Sequence, residues 1–89
     1  MADLHFTQNL RRHTACPDCS LDAATVGDLL SQYFTSYPTV RGYVLDDQGE
    51  VRKHVKVLVD GRNIRDRTGL SDPLGHDSQV YVFQALSGG

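Results

Sequence analysis

Residues Thr25-Val26-Gly27-Asp28-Leu29-Leu30-Ser31-Gln32-Tyr33-Phe34-Thr35-Ser36-Tyr37 carry apolar side chains with the period of an α-helix. The apolar positions 26, 29, 30, 33, 34 and 37 form one continuous stripe along such a helix. Thr25 is a suitable N-cap, and Asp28 three residues later completes a pair that resembles a capping box. Pro38 predicts that the helix stops at about Ser36 or Tyr37. A helix with one apolar face needs a sheet to cover, so strands are expected before and after it.

Two short strands are expected before the helix. Leu4 and Phe6 alternate with polar residues, which predicts an opening strand with these two side chains facing the core. Residues 20–23 are expected to form a short returning strand, so that the loop between the two strands closes a hairpin.

The strands expected after the helix are separated by turn residues. Residues 55–59 alternate between valine and other residues, which predicts a strand that ends at the Asp60-Gly61 turn. Residues 62–64 would continue it briefly. Residues 42–45 are expected to form a short strand or an irregular turn, and residues 65–78 a loop pinned by Leu70 and Leu74. In the last strand, from Gln79 onward, Val80 and Val82 lie on one side, with Tyr81 and Phe83 on the other.

This order of elements predicts an α+β fold in which one helix crosses a mixed sheet. The first and last strands are expected to be neighbours in the middle of the sheet. Residues 1–86 are predicted to form one domain and residues 87–89 a flexible tail.

Composition excludes several classes of protein. The formal net charge of −2 argues against a nucleic-acid partner, which would favour a basic surface. No apolar run approaches the roughly 20 residues that a membrane span needs. The amino end shows no signal peptide, so a cytoplasmic protein is expected.

Several segments together carry a family resemblance. They are Val55–Ile64, Gly69–Leu74, Gln79–Phe83 and the Ser87-Gly88-Gly89 end. In this order the chain resembles the MoaD/ThiS-type ubiquitin-like sulfur carriers, which have the β-grasp fold. The opening segment Phe6–Thr14, which includes Leu10-Arg11-Arg12-His13-Thr14, is most similar to the carriers that serve cysteine biosynthesis.

The resemblance implies a chemistry for Gly89. An adenylating enzyme of the ubiquitin-activating type would convert its carboxylate, with ATP, to a transient acyl-adenylate. A sulfur donor would then leave a thiocarboxylate, which delivers sulfur to an acceptor synthase. The chain would have no catalytic group of its own and no permanently bound cofactor. Ser87 and Gly88 would form the tail, whose glycines fit a channel too narrow for side chains.

Phe83 and Leu86 are the predicted partner-binding residues. If Val80 and Val82 face the helix, Phe83 faces solvent and suits a docking anchor near the reactive tail. The resemblance supports this, because related carriers contact the activating enzyme through an apolar residue at the matching position. The alternative is that Phe83 pairs with Tyr81 or covers the outer face of the sheet.

Two further groups of residues have ordinary and specific interpretations. Cys16 and Cys19 form a lone CxxC, which as a redox pair would normally open a helix within a βαβ unit, a context that is missing here. As a zinc half-site it would need two more ligands, with His13 and His5 the near candidates. We favour two incidental thiols on a surface loop. The arginines Arg62, Arg65 and Arg67 would either dock an acidic partner or, as we prefer, lie in a solvated loop.

Two alternative functions stay open. The chain would be a ubiquitin-like modifier if Gly89 formed an isopeptide bond with lysine. It would be a plain β-grasp interaction domain if its terminus were never activated. A subunit role in a synthase, such as molybdopterin synthase, is compatible with the carrier function.

Overall fold

The computed structural model describes residues 1–6 and 17–84 of the chain. In these residues the strands are β1 (Ala2–Phe6), β2 (Cys19–Leu21), β3 (Val55–Val59), β4 (Arg62–Asn63) and β5 (Gln79–Gln84). The helices are α1 (Val26–Ser36) and α2 (Pro38–Val44). The described strands form one mixed sheet in the order β2-β1-β5-β3-β4. β1 and β5 are parallel and the other neighbours antiparallel, which confirms the predicted central pair.

Helix α1 begins as the capping pattern predicts. The Asp28 amide donates to Thr25 Oγ1 at 3.1 Å, and the Asp28 carboxylate accepts from the Ala24 amide at 3.4 Å. The first two amides of the helix donate to a loop that is distant in the sequence. The Val26 amide donates to the Asp72 carbonyl, and the Gly27 amide donates to the Leu70 carbonyl. A Cβ on residue 27 would lie 3.1 Å from that second carbonyl oxygen, so glycine allows the loop to approach the helix.

Helix α2 corrects one prediction. Residues 42–45 do not form a strand or an irregular turn, because residues 42–44 complete this helix and Leu45 is its C-cap. Pro38 ends α1 and also occupies the first turn of α2, where its fixed φ and missing amide hydrogen cost little. Val40 and Val44 are four residues apart and fully buried, which anchors the short helix to the core.

The core lies between the helices and the inner face of the sheet. Five of the predicted stripe residues of α1 are buried, whereas Tyr37 is half-buried. The ring of Tyr33 lies 5.0 Å from that of Phe6, and its hydroxyl donates to the Pro17 carbonyl at 2.8 Å. The sheet contributes these fully buried residues: Ala2, Leu4, Val55, Val57, Val80 and Val82. Neither helix of the described part has the length and apolar character of a membrane span.

The turn at residues 60–61 and the loop at residues 65–78 lie where the sequence predicts them. Asp60 and Gly61 have φ values of 51° and 86°, the left-handed pair that joins β3 to β4 in a tight hairpin. Within the 65–78 loop the Asp66 carboxylate accepts hydrogen bonds from Ser71, Gly69 and Thr68, which lower its pKa. The Asp72 carboxylate accepts from the Arg65 and Asp66 amides, and together the two carboxylates close the loop around Leu70, which is buried as predicted.

Candidate functional site

Strand β5 presents different chemistry on its two faces. Val80 and Val82 are fully buried on the inner face, under the helices. Tyr81 is 43% exposed on the outer face, and Phe83 is half-buried on the same side. The predicted assignment of strand faces is therefore confirmed, and Phe83 does not belong to the core beneath α1.

Neighbouring strands extend this surface. Phe83 lies opposite Lys56 on β3, while Tyr81 lies opposite Leu58 on β3 and His5 on β1. We call the side chains His5, Lys56, Leu58, Tyr81 and Phe83 the outer surface. It combines two aromatic rings and an aliphatic group with an exposed lysine at one side. This composition suits binding of another protein, because aromatic residues supply most of the energy at such interfaces.

A polar network borders the outer surface on the β1 side. His5 Nδ1 lies 3.0 Å from Asp18 Oδ2, and His5 Nε2 lies 2.8 Å from Gln79 Oε1. Gln79 Nε2 donates to Asp3 Oδ2 at 2.8 Å, and the Ser20 hydroxyl donates to Asp3 Oδ1. The hydrogen bond with Asp18, followed by that with Gln79, raises the pKa of His5. The hydrogen bonds from Ser20 and Gln79 lower the pKa of Asp3.

The network also holds Tyr81. The rings of His5 and Tyr81 are stacked, with centroids 4.6 Å apart and planes inclined by 21°. Sequence reasoning treated His5 only as a possible metal ligand and missed this arrangement. The alternation of β1 placed Asp3 and His5 on the outer face, but only the register with β5 shows what they contact.

Cys19 does not lie on a surface loop as predicted, because it is the half-buried first residue of β2. Its thiol also lacks the surroundings of a reactive one. Burial, followed by the charges of Asp18 and Asp3, raises the pKa of this thiol and disfavours the thiolate that a redox or zinc site needs. Within residues 1–6 and 17–84, no cluster of three or more His, Cys, Asp or Glu side chains is arranged to hold a metal ion. Cys16 and His13 lie outside the described residues.

The three arginines do not behave as one group. Arg62 and Arg65 are exposed, as expected for a solvated loop. For Arg67 the preferred interpretation is wrong: its Nη2 donates to the Arg52 and Val55 carbonyls at 2.7 Å each. Its guanidinium therefore ties the 65–78 loop to the start of β3.

The predicted tail residues Leu86, Ser87, Gly88 and Gly89 lie outside the described part of the chain. Gln84 is the last described residue and lies opposite Val55. Phe83 precedes Gly89, the predicted reactive residue, by six residues in the sequence, so the part of the outer surface that β5 contributes lies close to Gly89 along the chain.

The fold defines the class of protein. A mixed sheet with parallel first and last strands at its centre, crossed by α1, is the ubiquitin-like β-grasp fold. The solved structure of SAMP1 from Haloferax volcanii has this fold with a TM-score of 0.78 and 24% identity, covering 99% of this chain and 98% of that chain. A chain of the Amycolatopsis orientalis BexX/CysO complex gives a TM-score of 0.82 at 17% identity, covering all of both chains.

Sequence comparison identifies the family. The ThiS family pattern matches residues 12–89, so the chain belongs to the ThiS family. Small archaeal modifier protein 3 of Haloferax volcanii is 38% identical over 68 residues, which cover 76% of this chain and 73% of that protein. The family match confirms the resemblance to MoaD/ThiS-type proteins, and the relative from Haloferax volcanii is named as a modifier.

Proposed function

We propose that this chain is a sulfur carrier whose Gly89 carboxylate receives the sulfur. The observation that carries the proposal is the ThiS family match, which extends to Gly89. The outer surface supports it, since a carrier without catalytic groups must be recognised by the enzymes that load and unload it. The sulfur acceptor is a synthase of cofactor or cysteine biosynthesis.

The chemistry follows from the poor reactivity of a carboxylate. An oxygen of the Gly89 carboxylate attacks the α-phosphorus of ATP, and pyrophosphate leaves. The resulting acyl-adenylate has AMP as a good leaving group. Hydrosulfide from a sulfur donor attacks the carbonyl carbon, AMP departs and a thiocarboxylate remains. The acyl-adenylate is transient, so the chain serves as a cosubstrate of the adenylating enzyme.

Docking on the outer surface makes this reaction efficient. Residues 85–89 span at most about 18 Å, so Gly89 stays within that distance of the end of β5 when an enzyme binds Phe83 and Leu86. Ordering the backbone of each tail residue costs about 1–2 kcal/mol. Contacts with the outer surface offset this cost, because they bind the rigid part of the chain.

A second candidate function is a protein modifier. The observation that favours it is the 38% identity with a protein named as a small archaeal modifier. A modifier uses the same adenylate, but a lysine amine replaces hydrosulfide as the nucleophile and the product is an isopeptide bond. Lysine adducts of this chain in its source cells would favour the modifier, whereas an oxygen-to-sulfur exchange on the intact chain favours the carrier.

The test uses the purified adenylating enzyme of the source organism with ATP and sulfide. Intact-mass measurement should show an oxygen-to-sulfur exchange on the wild type and none after deletion of Gly89. Gly88→Val should also prevent it, since a branched side chain blocks a channel that fits glycine. Gly42→Val is the matched control, because a Cβ at residue 42 meets no atom within 4 Å. Equal modification of all four proteins would refute the carrier proposal.

A further inference from the structure

The acceptors that face both ring nitrogens of His5 favour its doubly protonated form. The Asp3 carboxylate accepts the amide NH2 of Gln79, which requires that Gln79 Oε1 faces His5. His5 Nε2 must therefore donate to this oxygen. His5 Nδ1 faces Asp18 Oδ2 at 3.0 Å, another acceptor, so it must donate as well. Only the imidazolium carries a hydrogen on both ring nitrogens.

The imidazolium fixes two parts of the surface. Asp18 accepts a hydrogen bond from His5 with one carboxylate oxygen and from the Phe6 amide, at 3.3 Å, with the other. These two bonds hold the residue before β2 against β1. The cation also lies against the ring of Tyr81, with centroids 4.6 Å apart. A cation over an aromatic face is attracted by the ring's negative face, so the stacking is stronger in the charged form.

We propose that His5 is a positioning residue of the outer surface: as an imidazolium it holds Tyr81 and Asp18 in the geometry that the adenylating enzyme binds, so docking is tighter when His5 carries the proton. The inference rests on the proposed function, since it concerns the same partner. Loss of the proton leaves a nitrogen lone pair facing either the Asp18 or the Gln79 oxygen. Two acceptors repel each other, so one contact opens and the stacked ring is released.

The direction of the pH effect follows from the surroundings of His5. Asp18 lies before β2, Asp3 lies on β1, and β5 contributes Gln79 and Tyr81; the carboxylates favour the charged form. Because the folded protein raises the pKa of His5, the stabilisation that the imidazolium gives to the folded surface is fully present below about pH 6.5, the ordinary pKa of histidine. It is lost as pH rises through the higher folded value.

The first measurement uses the free wild-type protein. An NMR titration of the His5 ring should have its midpoint above about pH 6.5, the ordinary value, and the ring signals of Tyr81 should shift with the same midpoint. Asp18→Asn should lower that midpoint, since it removes the carboxylate that accepts from Nδ1. A His5 midpoint at or below the ordinary value, or a Tyr81 that does not respond, would overturn the inference.

The second measurement is the dissociation constant for the purified adenylating enzyme as a function of pH. Wild-type binding should weaken by about fivefold or more across the titration of His5, a typical coupling between linked sites. His5→Gln should remove this dependence, Asp18→Asn should move it to lower pH, and the exposed-residue control His54→Gln should keep it. An identical profile for His5→Gln and wild type overturns this inference alone. Absence of wild-type binding at every pH overturns the proposed function with it.

Discussion

The inner and outer faces of the sheet differ although the same strands build them. On β5, Val82 is fully buried and its neighbour Phe83 is half-buried on the opposite side. The inner face contains aliphatic side chains packed under α1. It contributes to the free energy of unfolding through the burial of these side chains. The outer face carries aromatic, charged and hydrogen-bonded side chains, some of them still exposed. The difference separates stability from recognition: substitutions on the inner face should unfold the protein, and those on the outer face should weaken its binding.

The largest expected effect is seen by making the same leucine-to-alanine change in the core under α1 and on the outer face of the sheet. Leu30 of α1 is 1% exposed, so Leu30→Ala should lower the free energy of unfolding by about 2–5 kcal/mol through lost burial and a residual cavity. Leu58→Ala is the matched change on the outer face, where the side chain is half-buried, and should cost much less. Urea unfolding of both variants measures this. Equal losses would show that the outer face is as much a part of the core as the inner one.

The elements that sequence predicted best have a local physical signal. The stripe of α1 and the alternation along β3 and β5 are periods of the chain itself, and a capping pair such as Thr25 and Asp28 needs only residues three apart. That β1 and β5 are neighbours was also predicted from their bulky alternation, whereas their parallel direction was not. Helix α2 was missed because residues 42–45 were interpreted without Val40, whose spacing to Val44 is helical.

The features that sequence did not predict depend on distant partners. The guanidinium of Arg67 bonds carbonyls at residues 52 and 55, and nothing near residue 67 in the sequence indicates them. The His5 network requires the register that places Gln79 and Tyr81 beside β1, as well as the position of Asp18. The alternation along a strand indicates which face of the sheet a side chain occupies, but only the register between strands identifies its neighbours.

An intermediate effect is expected at the pair Val82 and Phe83. Phe83→Ala should weaken binding to the adenylating enzyme by about 1–3 kcal/mol, as for an anchor residue at an interface, with little change in stability. Val82→Ala should instead destabilise the fold, at roughly 0.8 kcal/mol for each buried carbon removed before any cavity cost. Calorimetric binding and urea unfolding are measured for both proteins. A Phe83→Ala variant that unfolds while its affinity is unchanged would remove Phe83 from the outer surface.

The smallest expected effect concerns the start of α1. Thr25→Ala removes the hydroxyl that accepts from the Asp28 amide at 3.1 Å, which should cost about 1 kcal/mol of stability. Thr35→Ala is the matched control, because Thr35 is exposed within the same helix and its hydroxyl donates only to the preceding turn at Ser31. Alanine is the better helix former there, so that variant should be neutral or slightly more stable. Both should bind the adenylating enzyme as the wild type does, since α1 covers the inner face. A Thr25→Ala protein with normal stability but weakened binding would mean that the helix side also contacts the partner, and the division between the two faces would fail.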